Sequence, residues 1–135
     1  MGHIHIGYDN PDYLTSLAII KAMDLFLGVP SIILDSDNIR RKTYGKAGAF
    51  RPKKYGVEYR TLSNFWITDQ KSVNWVFKQV QKAVDFVNNK IELSDEDQLN
   101  IQIAINTGNT EAVLKILTKF NMVHELESEM NVKFD

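Results

Sequence analysis

The run from Arg40 to Arg60, R-R-K-T-Y-G-K-A-G-A-F-R-P-K-K-Y-G-V-E-Y-R, does most to narrow what this chain can become. Eight of its side chains are cationic (Arg40, Arg41, Lys42, Lys46, Arg51, Lys53, Lys54 and Arg60) and one, Glu58, is a carboxylate, a local net of +7. The whole chain is formally −1, so the charge is concentrated here. Like-charged runs of this density stay at the surface, and the bland reading is a solvated basic hairpin. Two details point further. Gly45, Gly48 and Gly56 allow positive φ and close backbone approach. The closing V-E-Y-R alternates like a strand, which puts Glu58 and Arg60 on one face. A basic, glycine-bearing loop that delivers a Glu-x-Arg pair on a strand suggests a site for an anionic, phosphorylated ligand.

The rest of the chain must supply the core. With 135 residues, 44% hydrophobic and 24% charged, it reads as one globular domain over residues 1–135. It has no cysteine, which excludes disulfides, thiolate zinc sites and thiol nucleophiles. The apolar run near the N-terminus is broken by Lys21 and Asp24 and reads as too polar to span a bilayer. No basic segment precedes it as in a signal peptide, so a cytoplasmic protein with no membrane partner is expected. A net charge near zero argues against general nucleic-acid binding, although one basic patch is enough to grip a polyanion.

Residues 2–8, G-H-I-H-I-G-Y, alternate as a short strand with His3 and His5 on one face and Ile4 and Ile6 on the other. Two imidazoles at that spacing can converge on one ion. Asp9 or Asn10 before Pro11 predicts a helix from about Pro11 to Leu27, stopping at Gly28. Leu14, Leu17, Ala18, Met23 and Phe26 form its expected buried face, widened by Ile19, Ile20 and Leu25, and Lys21 and Asp24 its interrupting surface pair. Val29-Pro30 is expected to break the chain direction. Ser31–Leu34 fits a buried strand or a single helical turn, and 35–38 a turn or helix cap. Asp69 predicts the start of a helix to about Asn89, with Val73, Val76, Phe77, Val80, Val84 and Val87 inward. Ser94 opens another helix, to about Asn106, despite the alternation of Leu99, Ile101, Ile103 and Ile105. Thr107–Asn109 turns into a short helix ending near Phe120, and the tail from Asn121 either pairs as a strand or frays. These elements give an α+β layout, an antiparallel sheet mainly from 2–8 and 56–62 with three or four helices packed on one side.

Three segments in this order, G-H-I-H-I-G-Y, Y-G-K-A-G-A-F-R and Y-G-V-E-Y-R-T-L-S-N-F-W, resemble the carboxylate–amine ligases of the glutamine synthetase and glutamate–cysteine ligase superfamily. More narrowly, they resemble the phage-type COOH–NH2 ligases, or amidoligases. The resemblance is close over residues 2–67 and looser around Ile103–Gly108. It implies the C-terminal part of a glutamine synthetase-like catalytic domain and an ATP-dependent reaction that passes through an acyl phosphate to an amide. ATP and Mg²⁺ are the cofactors it implies. On its pattern His3 and Glu58 are metal ligands and His5 contacts nucleotide phosphates. Arg51 neutralises phosphates during transfer, Arg60 holds a substrate carboxylate or the transferring phosphoryl group, and Lys46 and Arg41 (or Arg40) are further binding cations. Small-molecule or peptide carboxylates and amines are the implied substrates.

In that superfamily, strands preceding the His-x-His segment supply the carboxylates that complete the metal sites, whereas here the segment begins at residue 3. The resemblance therefore implies the C-terminal half of such a ligase, completed by a separate N-terminal polypeptide or a homo-oligomeric partner. Two other readings compete with it. One is a non-catalytic structural or oligomeric remnant; the other is a polyanion-binding module using the Arg40–Arg60 patch.

Overall fold

The computed structural model describes residues 2–35 and 45–134. In chain order the elements are β1 (Ile4–Gly7), α1 (Tyr13–Met23), a π-helical turn (Asp24–Gly28), α2 (Val29–Leu34), β2 (Phe50–Lys53) and β3 (Gly56–Tyr59). They continue with α3 (Gln70–Asn88), α4 (Asp95–Thr107), α5 (Thr110–Lys119) and α6 (Val123–Met130). The expected turn or cap at 35–38 lies outside the described residues beyond Asp35, as do Arg40, Arg41 and Lys42.

β3 is the centre of a three-stranded antiparallel sheet in the order β1-β3-β2. Its register opposes His5 and Arg51 to Glu58, and Ile4 and Phe50 to Tyr59. Because successive side chains alternate, the sheet has one apolar and one polar face. Ile4, Ile6, Phe50, Val57 and Tyr59 take the apolar face. His3, His5, Arg51, Lys53, Glu58 and Arg60 take the other. α1 packs across β2 and β3 on the apolar side, where Val57 and Tyr59 are fully buried. Each such large side chain removed from water contributes roughly 1.5–3 kcal/mol. The α+β architecture with an antiparallel sheet is as expected.

Several boundaries differ from expectation for local reasons. The first helix is capped by Asp12, whose carboxylate accepts the Thr15 amide at 2.9 Å and the Thr15 hydroxyl at 2.8 Å. Asn10, in the left-handed region at φ 52°, and Pro11 lie before it. The helix does not stop at Gly28. It passes through the π turn, where the Asp24 carbonyl accepts the Val29 amide, and continues as α2. Pro30 comes just after the π turn, where the regular i→i−4 ladder is already interrupted. A Cβ on Gly28 would come 2.7 Å from Ile105 Cδ1 and 2.9 Å from the Tyr59 hydroxyl. This glycine serves close packing, not termination.

The buried face of that rod includes Ile19, Ile20, Met23 and Leu25 as expected, but its N-terminal part is rotated. Leu14 and Ala18 are exposed and Leu17 is half-buried, whereas Ser16 and Asp24 are buried. Length and apolarity alone would let the 22-residue Tyr13–Leu34 helix cross a membrane, contrary to the expectation that it is too polar. Most of its apolar stretch is nevertheless buried inside the fold, which makes it a core helix. In α3 the cap Asp69 is as expected, but Phe77 is 66% exposed. Val76 is buried as expected, and Trp75, Gln79 and Ala83, not expected inward, face the core with it. Ser94 caps α4, and its helical spacing buries Ile101 and Ile105 while exposing Leu99 and Ile103. The tail is helical, neither strand nor frayed. In α6 the buried Leu126 and the Glu125 carboxylate lock onto α3, where Gln79 donates at 2.5 Å and Lys82 and Lys78 form ion pairs.

Candidate functional site

The polar face of the sheet converges on a single carboxylate. Glu58 sits in mid-strand with its side chain only 9% exposed. Its Oε1 lies 3.3 Å from His3 Nδ1 and 3.7 Å from His5 Nε2. Its Oε2 lies 3.6 Å from Lys53 Nζ and 3.4 Å from Arg60 Nη1. Strand periodicity produces this convergence: His3 and His5 stand two apart on β1's side of β3, Glu58 and Arg60 two apart along β3, and Lys53 on β2. Burial alone would raise the Glu58 carboxyl. The charges of Lys53, Arg60, His3 and His5 outweigh that effect and hold it below its ordinary value. Glu58 is therefore an anion at neutral pH that organises its neighbours.

His3, His5, Glu58 and Arg60 are brought together as their spacing implied. Arg51 is the cross-strand neighbour of Glu58, yet its side chain is exposed and makes no ion pair among the described residues. Lys46 is exposed on the turn before β2, and its carbonyl accepts the Thr61 hydroxyl at 2.8 Å. Arg41 and Arg40 lie outside the described residues. Two members of the cluster were missed by the sequence reading. Lys53 shares the phase of Arg51 on β2, a strand recognisable only once its pairing with β3 is known. Tyr55, on the β2–β3 turn, has its hydroxyl in hydrogen-bond contact with His5 Nδ1 and its ring 5.9 Å from the imidazole. Two larger grooves lie elsewhere: about 550 Å³ between α1, the end of α3 and the start of α4, and about 610 Å³ between α4 and α5. Neither is lined by any residue of the Glu58 cluster.

The turn feeding β2 is held from three sides. The Arg60 amide donates to the Ala49 carbonyl at 2.8 Å, the Ala47 amide to Asn106 Oδ1 at 2.8 Å, and the Thr61 hydroxyl to the Lys46 carbonyl. Gly45 and Gly48 adopt φ of 73° and 71°, the left-handed conformation that glycine reaches without a steric cost. A cation-bearing turn thus leads directly into β2, the strand that carries Arg51 and Lys53.

These features define an α+β protein with an excess of fixed positive charge around one carboxylate, a chemistry suited to anionic oxygen. The family is then direct: a family model described as Phage phiEco32-like COOH.NH2 ligase-type 2 matches residues 1–132, and the chain belongs to that family. The phage-type COOH–NH2 ligase resemblance is thereby shown, and with it a ligase activity of that broad class. No curated protein and no solved structure matches the chain.

Proposed function

We propose that this chain carries the phosphate-handling part of an ATP-dependent carboxylate–amine ligase working through an acyl phosphate. The observation that carries the reading is Glu58, ringed by His3, His5, Lys53 and Arg60 on the polar face, with Arg51 across the strand pair. The reaction has two steps. A substrate carboxylate oxygen attacks the γ-phosphorus of ATP and ADP leaves. The amine then attacks the acyl carbon, phosphate departs with the C–O electron pair, and the amine gives up one proton.

Both steps gather negative charge on oxygens, and preorganised cations are the efficient way to stabilise it. Arg60 and Lys53, oriented by the Glu58 carboxylate, would receive phosphoryl oxygens. Arg51, exposed on the same face, and Lys46, exposed on the turn before β2, would contact the nucleotide phosphates, with His5 at the rim. The guanidinium fork makes Arg51 and Arg60 poorly replaceable by lysine.

A lone magnesium ion does not fit the described residues. Mg²⁺ takes oxygen ligands in near-octahedral geometry, and Glu58 offers the cluster's only carboxylate, already faced by two cations. Among the described residues no group of three or more His, Cys, Asp or Glu side chains is arranged to hold a metal. The assignment of His3 and Glu58 as metal ligands therefore needs further oxygens, from nucleotide phosphates and from a second polypeptide or second copy of the chain.

The test is titration calorimetry of ATP, Mg·ATP and pyrophosphate, paired with hydroxylamine trapping of an acyl phosphate in the presence of candidate carboxylates. Nucleotide binding that disappears in Arg60→Ala, with hydroxamate formed by the wild type alone or with its partner, is the expected result. Binding of oligonucleotides in place of nucleotide, with steep salt dependence, would favour the polyanion-binding reading. No binding of any phosphate compound in either state would leave a non-catalytic remnant.

A further inference from the structure

On the opposite side of β3 from the Glu58 cluster stands a second carboxylate, Asp24, at the first position of the π turn. It is buried, and its Oδ1 accepts the Tyr59 hydroxyl at 2.7 Å. The backbone N–H of Gly48 lies near enough to favour its ionised form, and Oδ2 is 3.9 Å from where a Cβ on Gly48 would stand. Asp24 and Gly48 line one small cavity of about 100 Å³ together with Ile20, Lys21, Ile101 and Gln102. Tyr59 is the residue after Glu58. Gly48 belongs to the turn that carries Lys46 and runs straight into Arg51.

We infer that Asp24 is a positioning residue for the phosphate-handling face, holding the 45–49 turn and β3 together through Gly48 and Tyr59. It thereby sets where Lys46, Arg51 and Lys53 stand against Glu58. The inference rests on the reading of that face given above. A carboxylate is an expensive group to bury, and an apolar side chain would serve a packing role at lower cost. What a carboxylate adds is two acceptors in one plane, able to serve a hydroxyl from β3 and an amide from the turn at the same time. Gly28 supports this reading, since its missing side chain is what lets the Tyr59 hydroxyl reach the helix.

Burial pushes the Asp24 carboxyl up to about 7, against the Tyr59 hydrogen bond and the nearby Gly48 amide, which pull it down. Among the described residues the titratable and charged groups facing it are Tyr59 on β3 and Lys21 on α1, and α4 faces it with Gln98 and Gln102. The anionic form, which attracts the Gly48 amide, fills as pH rises through about 7.

The experiment is amide hydrogen exchange at Gly48 and Ala49, corrected for the intrinsic pH dependence, between pH 6 and 8, with pyrophosphate titrations on the same samples. In the wild type, protection at Gly48 should rise with pH about tenfold. In Asp24→Asn it should be flat and about tenfold lower at pH 8, the scale of one hydrogen bond to a charged group. Pyrophosphate should bind Asp24→Asn about tenfold more weakly at pH 8, with the amides of β1 still protected. Unchanged protection at Gly48 overturns the tether. Changed protection with unchanged pyrophosphate affinity overturns the positioning role and leaves Asp24 purely structural. If wild type binds no pyrophosphate, the phosphate reading and the positioning role fall together, while the exchange data still decide the tether. Should Asp24→Asn fail to fold, the wild-type pH series and Tyr59→Phe carry the same comparison.

Discussion

Glu58 and Asp24 serve the two faces of one strand, and their surroundings drive their acidities in opposite directions. Both carboxylates are largely withdrawn from solvent. Glu58 meets two fixed cations and two imidazoles, and its carboxyl is held below 4.5. Asp24 meets a hydroxyl, an amide and apolar side chains, and its carboxyl rises to about 7. Hydrogen bonds to neutral donors do not offset the loss of water for a buried charge, whereas two salt-bridge partners do. The polar face keeps its anion fixed, and the face that meets the core leaves its acid near the middle of the pH scale.

The largest effect on this comparison should come from removing the strand that both faces share. A Cβ on Gly56 would stand 2.0 Å from the Ile6 carbonyl oxygen. Because the obstruction is backbone, Gly56→Ala should cost about 4 kcal/mol or more and shift the denaturant midpoint strongly. Next comes the pH signature of Asp24. Its native pKa lies above the unfolded value near 3.8, so the native state holds the extra proton in between. Stability should fall by up to about 1.4 kcal/mol per pH unit as pH rises from 3.8 to about 7, then level off. Asp24→Asn should remove that slope in urea titrations at successive pH values. Tyr59→Phe should cost about 1–3 kcal/mol near pH 8, where it strips a donor from a buried anion.

Glu58 has the opposite sign. Its lowered native pKa contributes stability that is complete above 4.5 and lost as pH falls through the native value. Glu58→Gln should abolish this acid limb and tighten metal-free pyrophosphate by about fivefold, since one screened negative charge leaves a positive cluster. Weaker pyrophosphate binding in that variant would overturn this expectation and mean that the orientation Glu58 gives Lys53 and Arg60 outweighs the negative charge it places beside the anion. The smallest effect is expected at Lys78, whose exposed pairs with Glu125 and Glu129 tie α6 to α3. Lys78→Ala should move the midpoint little, leaving both faces of β3 untouched.

Alternation and caps were legible in the sequence. Strand period alone puts His3 with His5 and Glu58 with Arg60, the β1–β3 register then joins the two pairs on one face, and Asp69 and Ser94 each cap the helix they precede. Asp24 was not recognised as buried, although the signal was present: an acid with Met23, Leu25, Phe26 and Leu27 around it has no polar side of the helix to occupy. Gly28 and Pro30 misled because their usual meaning is local, whereas here tertiary packing and the π turn decide. Lys53 needed the β2–β3 register, a property of two segments and not of either. The tail became a helix through Glu125 meeting Lys78, Lys82 and Gln79, contacts separated by more than forty residues in sequence.

The π turn has a consequence for how the rod can vary. One extra residue in a turn advances the helical phase by about 100°. On one side of that slip α1 meshes with α3 and the sheet; on the other, α2 meshes with α4 and α5. The rod works like a shaft with two toothed sections cut out of step, each matched to a different wheel. Deleting one residue between Asp24 and Gly28 would bring the sections into step and disengage one of them, whereas many substitutions on the exposed side of α1 would leave both engaged.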